Sequence, residues 1–266
     1  MTRRRFIANL WTHTTATLTG DQATHLARVL RAEPGQIYDV VANGFLHRAE
    51  ITTVSAGGSG EAEVHFLLHE ELESDAALPL HLLLAVFKFD HMEWAIEKAT
   101  ELGIARITPI LARRTEKHLA QSAAKRADRW RRIALEASKQ SRRTTIPDIA
   151  DPIPLKQALE QEQSPTRILL SETEQATTLT EALEKWTAEP RVPHPERVIR
   201  AKVGDTTPSP INTTHALAIG PEGGWTPEEM ALFTQHNWQP VTLGPRILRA
   251  ETAAIAAIAI ASTHLT

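Results

Sequence analysis

The chain changes its sequence rhythm near Pro79, and this change constrains the fold more than any other feature. After Pro79, short apolar runs typical of strands alternate with longer stretches of helical periodicity; the runs are LHLLLAVF, ARITPIL, TRILL, HALAIG and QPVTLG. A chain that alternates in this way forms a mostly parallel sheet with helices on its faces. We therefore predict an α/β domain over residues 76–266.

Residues 1–75 indicate a smaller β domain. QIYDVVA, FLHRAEITTVS and AEVHFLLHE are short alternating runs, and Asn43-Gly44 lies between the first two. An Asn-Gly pair between apolar runs is a strong hairpin signal. ATHLARVLR, residues 23–31, predicts a short amphipathic helix in front of these strands.

Three helices of the second domain are marked by their ends or faces. Asp90 and Glu93 have the spacing of a capping box, and Gly103 ends that helix. The segment KRADRWRRIALEASKQS turns Trp130 and Ala134 inward. AAIAAIAIAS near the C-terminus is shorter than the roughly 18 apolar residues that a membrane span requires. It predicts a buried core helix, and no membrane partner is expected.

The segment IGPEGGWTPEE, residues 219–229, is a glycine-rich turn between a strand and a helix. Thr226, Pro227 and Glu229 have the pattern of a capped helix N-terminus. The turn therefore lies at the carboxyl end of a parallel strand, where open α/β sheets bind ligands. It lacks the lysine of a P-loop, the spacing of a dinucleotide fingerprint and the serine of a nucleophile elbow. From the glycines alone, a purely structural turn remains an alternative.

The segment VTLGPRILRAETAA, residues 241–254, repeats this design one strand later. Gly244-Pro245 ends the strand, and Arg246, Arg249 and Glu251 precede an Ala-rich helix. Two such turns on consecutive strands form a pocket of backbone amides and carbonyls with charged side chains at its rim. Such a pocket favours a ligand such as adenine over a structural turn.

Basic residues are concentrated, although the formal net charge is only −3. Between Leu111 and Arg143, eleven Lys or Arg residues stand against three acids, and Arg3, Arg4 and Arg5 open the chain. This distribution fits a polyanionic partner such as RNA, and it equally fits a solvated helix face.

Two kinds of chemistry are not expected. The chain has no cysteine, which excludes disulfides and thiolate sites and fits a reducing compartment, so we expect a cytoplasmic protein. None of the twelve histidines forms a His-Glu-x-x-His pair, and no metal site is expected.

The two glycine-proline segments together carry a family resemblance. IGPEGGWTPEE followed by LGPRILRAETAA resembles the signature of the RsmE-type 16S ribosomal RNA uridine-N3 methyltransferases of the SPOUT class. RRRF, HLARVLRAEPGQ, KFDHMEWAIEKATELGIARITPI, RWRRIALEASKQSRRTTIPDI and ILLSE are similar to family segments in family order. The resemblance covers nearly the whole chain. It departs at His91, where the family more often has arginine or lysine, and in a long loop over residues 189–214.

The resemblance implies a fold, a cofactor and partners. It implies a PUA-like β-barrel over residues 1–75 for RNA capture, and an α/β domain over residues 76–266 whose last strands thread a deep trefoil knot. It implies a homodimer that methylates N3 of a uridine in 16S rRNA of the small ribosomal subunit. S-adenosylmethionine is the implied methyl donor.

The resemblance also implies site residues. Three loops would hold the cofactor: Leu170, Ser171, Glu172, Ile219, Gly220, Pro221, Glu222, Gly223, Gly224, Leu243, Gly244, Ile247, Leu248 and Arg249. Glu222, Arg249 and Glu251 are the catalytic candidates: Arg249 would stabilise charge on the uracil, and one glutamate would act as a base or position the substrate. Glu251 alternatively only stabilises its helix N-terminus. The candidate RNA contacts are Arg3, Arg4, Arg5, Arg28 and Arg31 from the first domain and Arg142 and Arg143 from the second.

Other functions stay open from the sequence. The chain could methylate a different RNA or position, or bind RNA without catalysis; the presence of Glu222, Arg249 and Glu251 disfavours the second. A nucleotide-dependent enzyme that binds phosphate at the glycine turn is disfavoured by the missing lysine.

Overall fold

The computed structural model describes residues 5–55, 62–72, 77–188 and 213–265. Its residue contacts divide the chain into two units, Met1–Ala76 with Ser138–Thr145, and Ala77–Ala137 with Ile146–Thr266. Most of the loop predicted over residues 189–214 lies outside the described residues. No helix in the described ranges is long and apolar enough to cross a membrane.

The N-terminal unit is built on a six-stranded sheet with strand order β1-β4-β5-β6-β3-β2. All its pairings are antiparallel except that of β1 with β4. Its core contains Phe6, Leu18, Leu26, Ile51 and Phe66. The elements are β1 (Arg5–Ile7), β2 (Leu10–Trp11), β3 (Thr15–Thr19), α1 (Gly20–Thr24), a π-helical turn (His25–Val29), β4 (Ile37–Ala42), β5 (Phe45–Ser55) and β6 (Glu63–Leu72).

Two local predictions for this unit can be compared with the structure. The hairpin at Asn43-Gly44 is confirmed: both residues have positive φ, 53° and 79°, and Ala42 pairs with Phe45. Such a two-residue turn matches the twist of the strands that it joins. The helix predicted over residues 23–31 begins earlier, at Gly20, and its second half is π-helical.

The second unit is built on a seven-stranded sheet in which every pairing is parallel. The strand order is β10-β8-β7-β12-β11-β13, with β9 beside β8. This confirms the predicted α/β class. The elements are β7 (Leu78–Ala85), α2 (Phe89–Glu101), β8 (Ile104–Leu111), α3 (Lys117–Ser122), a 3₁₀ turn (Ala123–Arg126), α4 (Ala127–Gln140), β9 (Asp148–Ile149), β10 (Ile153–Pro154), α5 (Leu155–Gln161), β11 (Thr166–Leu170), α6 (Leu179–Ala188), β12 (His215–Ile219), α7 (Pro227–Gln235), β13 (Gln239–Val241) and α8 (Ala250–Leu265).

Both faces of this sheet are covered, which explains the continuous apolar runs in the strands. Leu82 and Leu84 on β7 belong to a core with Trp130 and the Ala-rich α8. Leu83, between them, belongs to the opposite core with Phe233. The predicted core helix near the C-terminus is confirmed, because Ala254, Ala257, Ile258 and Ala261 on α8 are buried.

The predicted capping box of Asp90 and Glu93 is wrong. Helix α2 begins at Phe89 after Lys88, and no side chain caps it. Glu93 instead accepts two hydrogen bonds from Arg129, at 2.6 and 2.7 Å. A bidentate partner from α4 satisfies this carboxylate better than one backbone N–H would.

Candidate functional site

The three predicted loops meet at the carboxyl ends of β11, β12 and β13. They line one cavity of about 1000 Å³, which is formed within the second unit. Every residue predicted to hold the cofactor lies in its wall, from Leu170–Glu172 through Ile219–Gly224 to Leu243–Arg249. This volume is in the range of pockets that hold drug-sized ligands, about 300–1000 Å³.

The glycine loop, residues 219–224, packs against the side chains of Trp225 and Arg114. These side chains leave little space for a Cβ at two of its glycines. A Cβ on Gly220 would lie 3.1 Å from Trp225 Cε2, and a Cβ on Gly223 would lie 3.3 Å from Arg114 Cδ. Trp225 Nε1 donates to the Leu170 carbonyl at 3.2 Å, which ties the glycine loop to the first loop. Arg114 Nη1 donates to the Gly223 carbonyl at 2.6 Å. These contacts with Trp225 and Arg114 preorganise the loop before a ligand binds.

The helix that follows the glycine loop is capped as predicted. Thr226 Oγ1 accepts from the Glu229 backbone N–H, and Glu229 Oε2 accepts from the Thr226 backbone N–H at 2.8 Å. Glu229 Oε1 also accepts from the Arg113 backbone N–H at 2.7 Å. This buried carboxylate therefore joins the glycine loop to the segment after β8.

The third loop turns sharply at Gly244, whose φ of 113° is one that residues with side chains rarely adopt. Thr242 Oγ1 accepts from the Gly244 N–H at 3.1 Å and so fixes the turn. Arg249 is exposed, and among the described residues no group hydrogen-bonds or ion-pairs with its guanidinium. This guanidinium is available to a ligand in the cavity.

The two predicted catalytic glutamates occupy different environments. The Glu222 side chain is 41% exposed and lines the cavity. The Glu251 side chain is only 4% exposed, lies in the first turn of α8 and is not part of the cavity wall. His91 lies between them, with Nδ1 at 3.4 Å from Glu251 Oε1 and 4.0 Å from Glu222 Oε1.

The predicted site residues leave out several others of the cavity wall, among them Lys88, His91, Arg114 and Trp225. Lys88 and His91 follow the carboxyl end of β7, which pairs with β12. Their position after β7 could have predicted their place in the cavity wall, because the carboxyl ends of neighbouring parallel strands share one edge of the sheet. For Arg114 the sequence offered only its place in the basic cluster.

The candidate RNA contacts that the structure describes all belong to the N-terminal unit. Arg142 and Arg143, assigned above to the second domain, cluster with Met1–Ala76. Arg28, Arg31 and Arg142 are exposed. Arg143 is half-buried, and burial lowers the pKa of its guanidinium to about 10, so it stays charged at neutral pH. Arg5 lies in β1, and Arg3 and Arg4 lie outside the described residues.

Part of the basic cluster between Leu111 and Arg143 is neutralised within the protein. Arg129 and Arg126 both pair with Glu93, and Arg131 pairs with Asp128 and Asp151. These pairs favour the solvated-face interpretation for this section of α4 and leave fewer guanidinium groups free for phosphate.

A second concavity of about 850 Å³ is a weaker candidate. It is lined by Leu111–Arg113, Pro154–Lys156 and the start of α7. The buried carboxylate in this concavity belongs to Glu229, and both of its oxygens already accept hydrogen bonds from backbone N–H groups. In the described ranges, no group of three or more His, Asp or Glu side chains could hold a metal ion.

Comparison with known proteins gives a consistent picture. The family model for the RNA methyltransferase domain matches the sequence over residues 74–262. A ribosomal RNA small subunit methyltransferase E of Synechocystis sp. is 33% identical over 92% of this chain and 72% of its own length. One of Bacillus subtilis is 29% identical over 93% of this chain and 90% of its own.

A solved structure adds to this similarity. A ribosomal RNA small subunit methyltransferase E from Neisseria gonorrhoeae, bound to S-adenosyl methionine, is 27% identical and superposes with a TM-score of 0.72. The match covers 98% of each chain. The similarity therefore extends over both units and is not confined to the α/β sheet.

Proposed function

Because the chain belongs to the RNA methyltransferase family, with the ribosomal RNA small subunit methyltransferases E among its relatives, we propose that it methylates N3 of a uridine in 16S rRNA. S-adenosylmethionine is the methyl donor. The observation that carries the proposal is the single cavity into which three loops converge at the carboxyl ends of three parallel strands.

The residues of the cavity fit this cofactor by their chemistry. Backbone groups of the glycine loop and of Leu243–Gly244 are suited to the edge of an adenine, and carboxylates such as Glu172 are suited to ribose hydroxyls. The positive φ of Gly224 and Gly244 lets the backbone come close to a ligand. When bound, S-adenosylmethionine supplies a methyl group that is already activated on a sulfonium sulfur.

The chain must then orient the uracil and remove the N3 proton. Arg249, free of partners among the described residues, stabilises the negative charge that spreads to the carbonyl oxygens beside N3. Glu222 stands on the cavity wall within reach of the same space and positions the base or accepts its proton.

The finer features of the fold and assembly belong to the same proposal. We infer that the N-terminal unit is a PUA-like domain that captures RNA with Arg5, Arg28, Arg31, Arg142 and Arg143. We infer that the C-terminal strands form a trefoil knot in a homodimer. Two hydrogen bonds at the end of β13 support the knot. Ser171 N–H donates to the Val241 carbonyl, and Leu179 N–H donates to the Thr242 carbonyl, so the chain at the end of β13 is bonded to both ends of the loop that follows β11. A ribosomal substrate implies action in the cytoplasm.

Nucleoside mass spectrometry tests the proposal directly. Purified protein and S-adenosylmethionine are incubated with small subunits that lack the modification, and the digested rRNA is analysed for 3-methyluridine. Its formation would support donor, reaction and substrate together. Cofactor binding without 3-methyluridine would redirect the search to another position or another RNA, and RNA binding without any methylation would favour the binding protein.

A further inference from the structure

We infer that His91 is the group that accepts the proton from uracil N3, and that Glu251 positions it; the inference rests on the proposed function. His91 lines the cavity with a side chain that is 30% exposed. Glu251 lies behind it and is withdrawn from the cavity. A substrate in the cavity can therefore contact the imidazole but not the Glu251 carboxylate.

The two ring nitrogens of His91 have different surroundings. Nδ1 is buried, has no hydrogen-bond partner among the described residues, and lies 3.4 Å from Glu251 Oε1. Nε2 is not fully buried and lies 3.8 Å from Asp90 Oδ2. A carboxylate next to Nδ1 favours the tautomer with its proton on that nitrogen, which leaves Nε2 as the acceptor.

Glu251 also has a buried oxygen without a partner. Oε2 makes no hydrogen bond in the described part of the chain, and the residue is only 3% exposed. A buried carboxylate that is only partly paired is costly for a fold. A catalytic use offsets this cost: the carboxylate charge stabilises an imidazolium that forms next to it during the reaction.

The charged groups around the imidazole come from several elements. Asp90 lies on the same helix, Glu222 on the glycine loop and Glu251 on α8. The same cavity is lined by further charged side chains: Lys88, Glu172, Glu174, Arg114, Arg246 and Arg249. Three carboxylates lie within 4.0 Å of the ring nitrogens.

Removal of the N3 proton and transfer of the methyl group occur in one step. The N3–H bond of the uracil breaks and an N–H bond forms at His91 Nε2. The electron pair left on N3 forms the bond to the methyl carbon as the carbon–sulfur bond breaks toward sulfur. Imidazole is a better proton acceptor near neutral pH than a carboxylate, because catalytic bases work best with a pKa close to the working pH.

The test measures single-turnover formation of 3-methyluridine at saturating cofactor between about pH 5 and 9, the range in which histidine titrates. The wild-type rate should fall on the acidic side, and His91→Gln should lose roughly 100-fold or more in rate together with that acidic limb. Added imidazole should restore part of the rate of His91→Ala, which a merely structural role would not allow. His118→Gln, at a side chain 72% exposed, is the matched control with unchanged rate.

Two measurements separate the chemical role from loss of fold. Calorimetry should find the cofactor affinity of His91→Gln within about threefold of the wild-type value. In the free protein, Glu251→Gln should move the pH midpoint of the His91 Cε1–H NMR signal, since the neighbouring charge is removed; no movement would overturn the role of Glu251.

The outcomes distinguish this inference from the proposed function. Wild-type protein that makes no 3-methyluridine would defeat both. Active wild-type protein with an equally active His91→Gln, or no rescue of His91→Ala by imidazole, would overturn the inference alone and leave Glu222 as the proton acceptor.

Discussion

Glu162→Gln should destabilise the second unit in a pH-dependent way. Glu162 follows α5 and is buried, and its Oε2 is 2.5 Å from His81 Nδ1 on β7. Its Oε1 accepts from the Ser164 backbone N–H at 2.7 Å. The other ring nitrogen of His81 lies 2.8 Å from Thr108 Oγ1 on β8. Glu162, His81 and Thr108 thus form a polar cluster that connects two neighbouring strands to the end of a helix.

The size of the effect follows from the carboxyl pKa. Burial by itself raises the pKa of Glu162, but the hydrogen bond and charge of His81 and the Ser164 N–H outweigh it and lower the pKa from 4.5 to about 2. Each pKa unit corresponds to about 1.4 kcal/mol, so the difference from the unfolded chain is worth about 3 kcal/mol. Because the folded pKa is depressed, this stabilisation is present above about pH 4.5 and is lost as the pH falls toward about 2.

Urea unfolding of the wild type and of Glu162→Gln, followed by circular dichroism, measures this directly. The variant should be about 3 kcal/mol less stable near pH 6, and the gap should close steadily toward pH 2. Glu160→Gln, on the exposed face of α5, is the control and should change stability by less than about 1 kcal/mol at any pH. A gap between wild type and Glu162→Gln that is the same near pH 3 and pH 6 would refute the reasoning.

Two further changes test the cavity, and a third tests the cap of α7. Gly220→Ala should displace the Trp225 ring and break its 3.2 Å hydrogen bond to the Leu170 carbonyl. Calorimetry should then show a cofactor affinity about fivefold lower, and Trp225→Phe should reproduce part of that loss. An unchanged affinity would contradict the packing argument. Arg249→Ala should reduce turnover by about 10²–10³-fold with cofactor binding retained, and loss of cofactor affinity with turnover kept at saturation would show that the arginine serves the cofactor instead. Glu229→Ala leaves two backbone N–H groups unpaired and should cost about 2 kcal/mol in urea unfolding, whereas a cost under about 0.5 kcal/mol would mean that water replaces the carboxylate.

Features encoded within a few residues could be predicted from the sequence. The Asn43-Gly44 hairpin and the Thr226–Glu229 cap each depend on neighbours in the chain, and both are confirmed. The parallel sheet was predictable because its strands are buried on both faces and therefore read as continuous apolar runs.

Features that depend on distant partners could not be predicted in this way. Glu93 has the right spacing for a cap, but Arg129 from another helix binds it. The sequence separates His91 from Glu251 by more than half of the chain, and only the packing of α2 against α8 brings them together. The same holds for Arg114 and Gly223, which meet because the segment after β8 passes beside the glycine loop.

The division of the chain into its two units has a consequence for synthesis on the ribosome. The N-terminal unit includes Ser138–Thr145, so its chain is interrupted by the residues 77–137 of the other unit. A nascent chain released only up to residue 76 therefore lacks a part of the first unit. The first unit therefore cannot be completed during synthesis until residues 77–145 have also been made, and a chain cut near Pro79 would separate the N-terminal fragment from Ser138–Thr145.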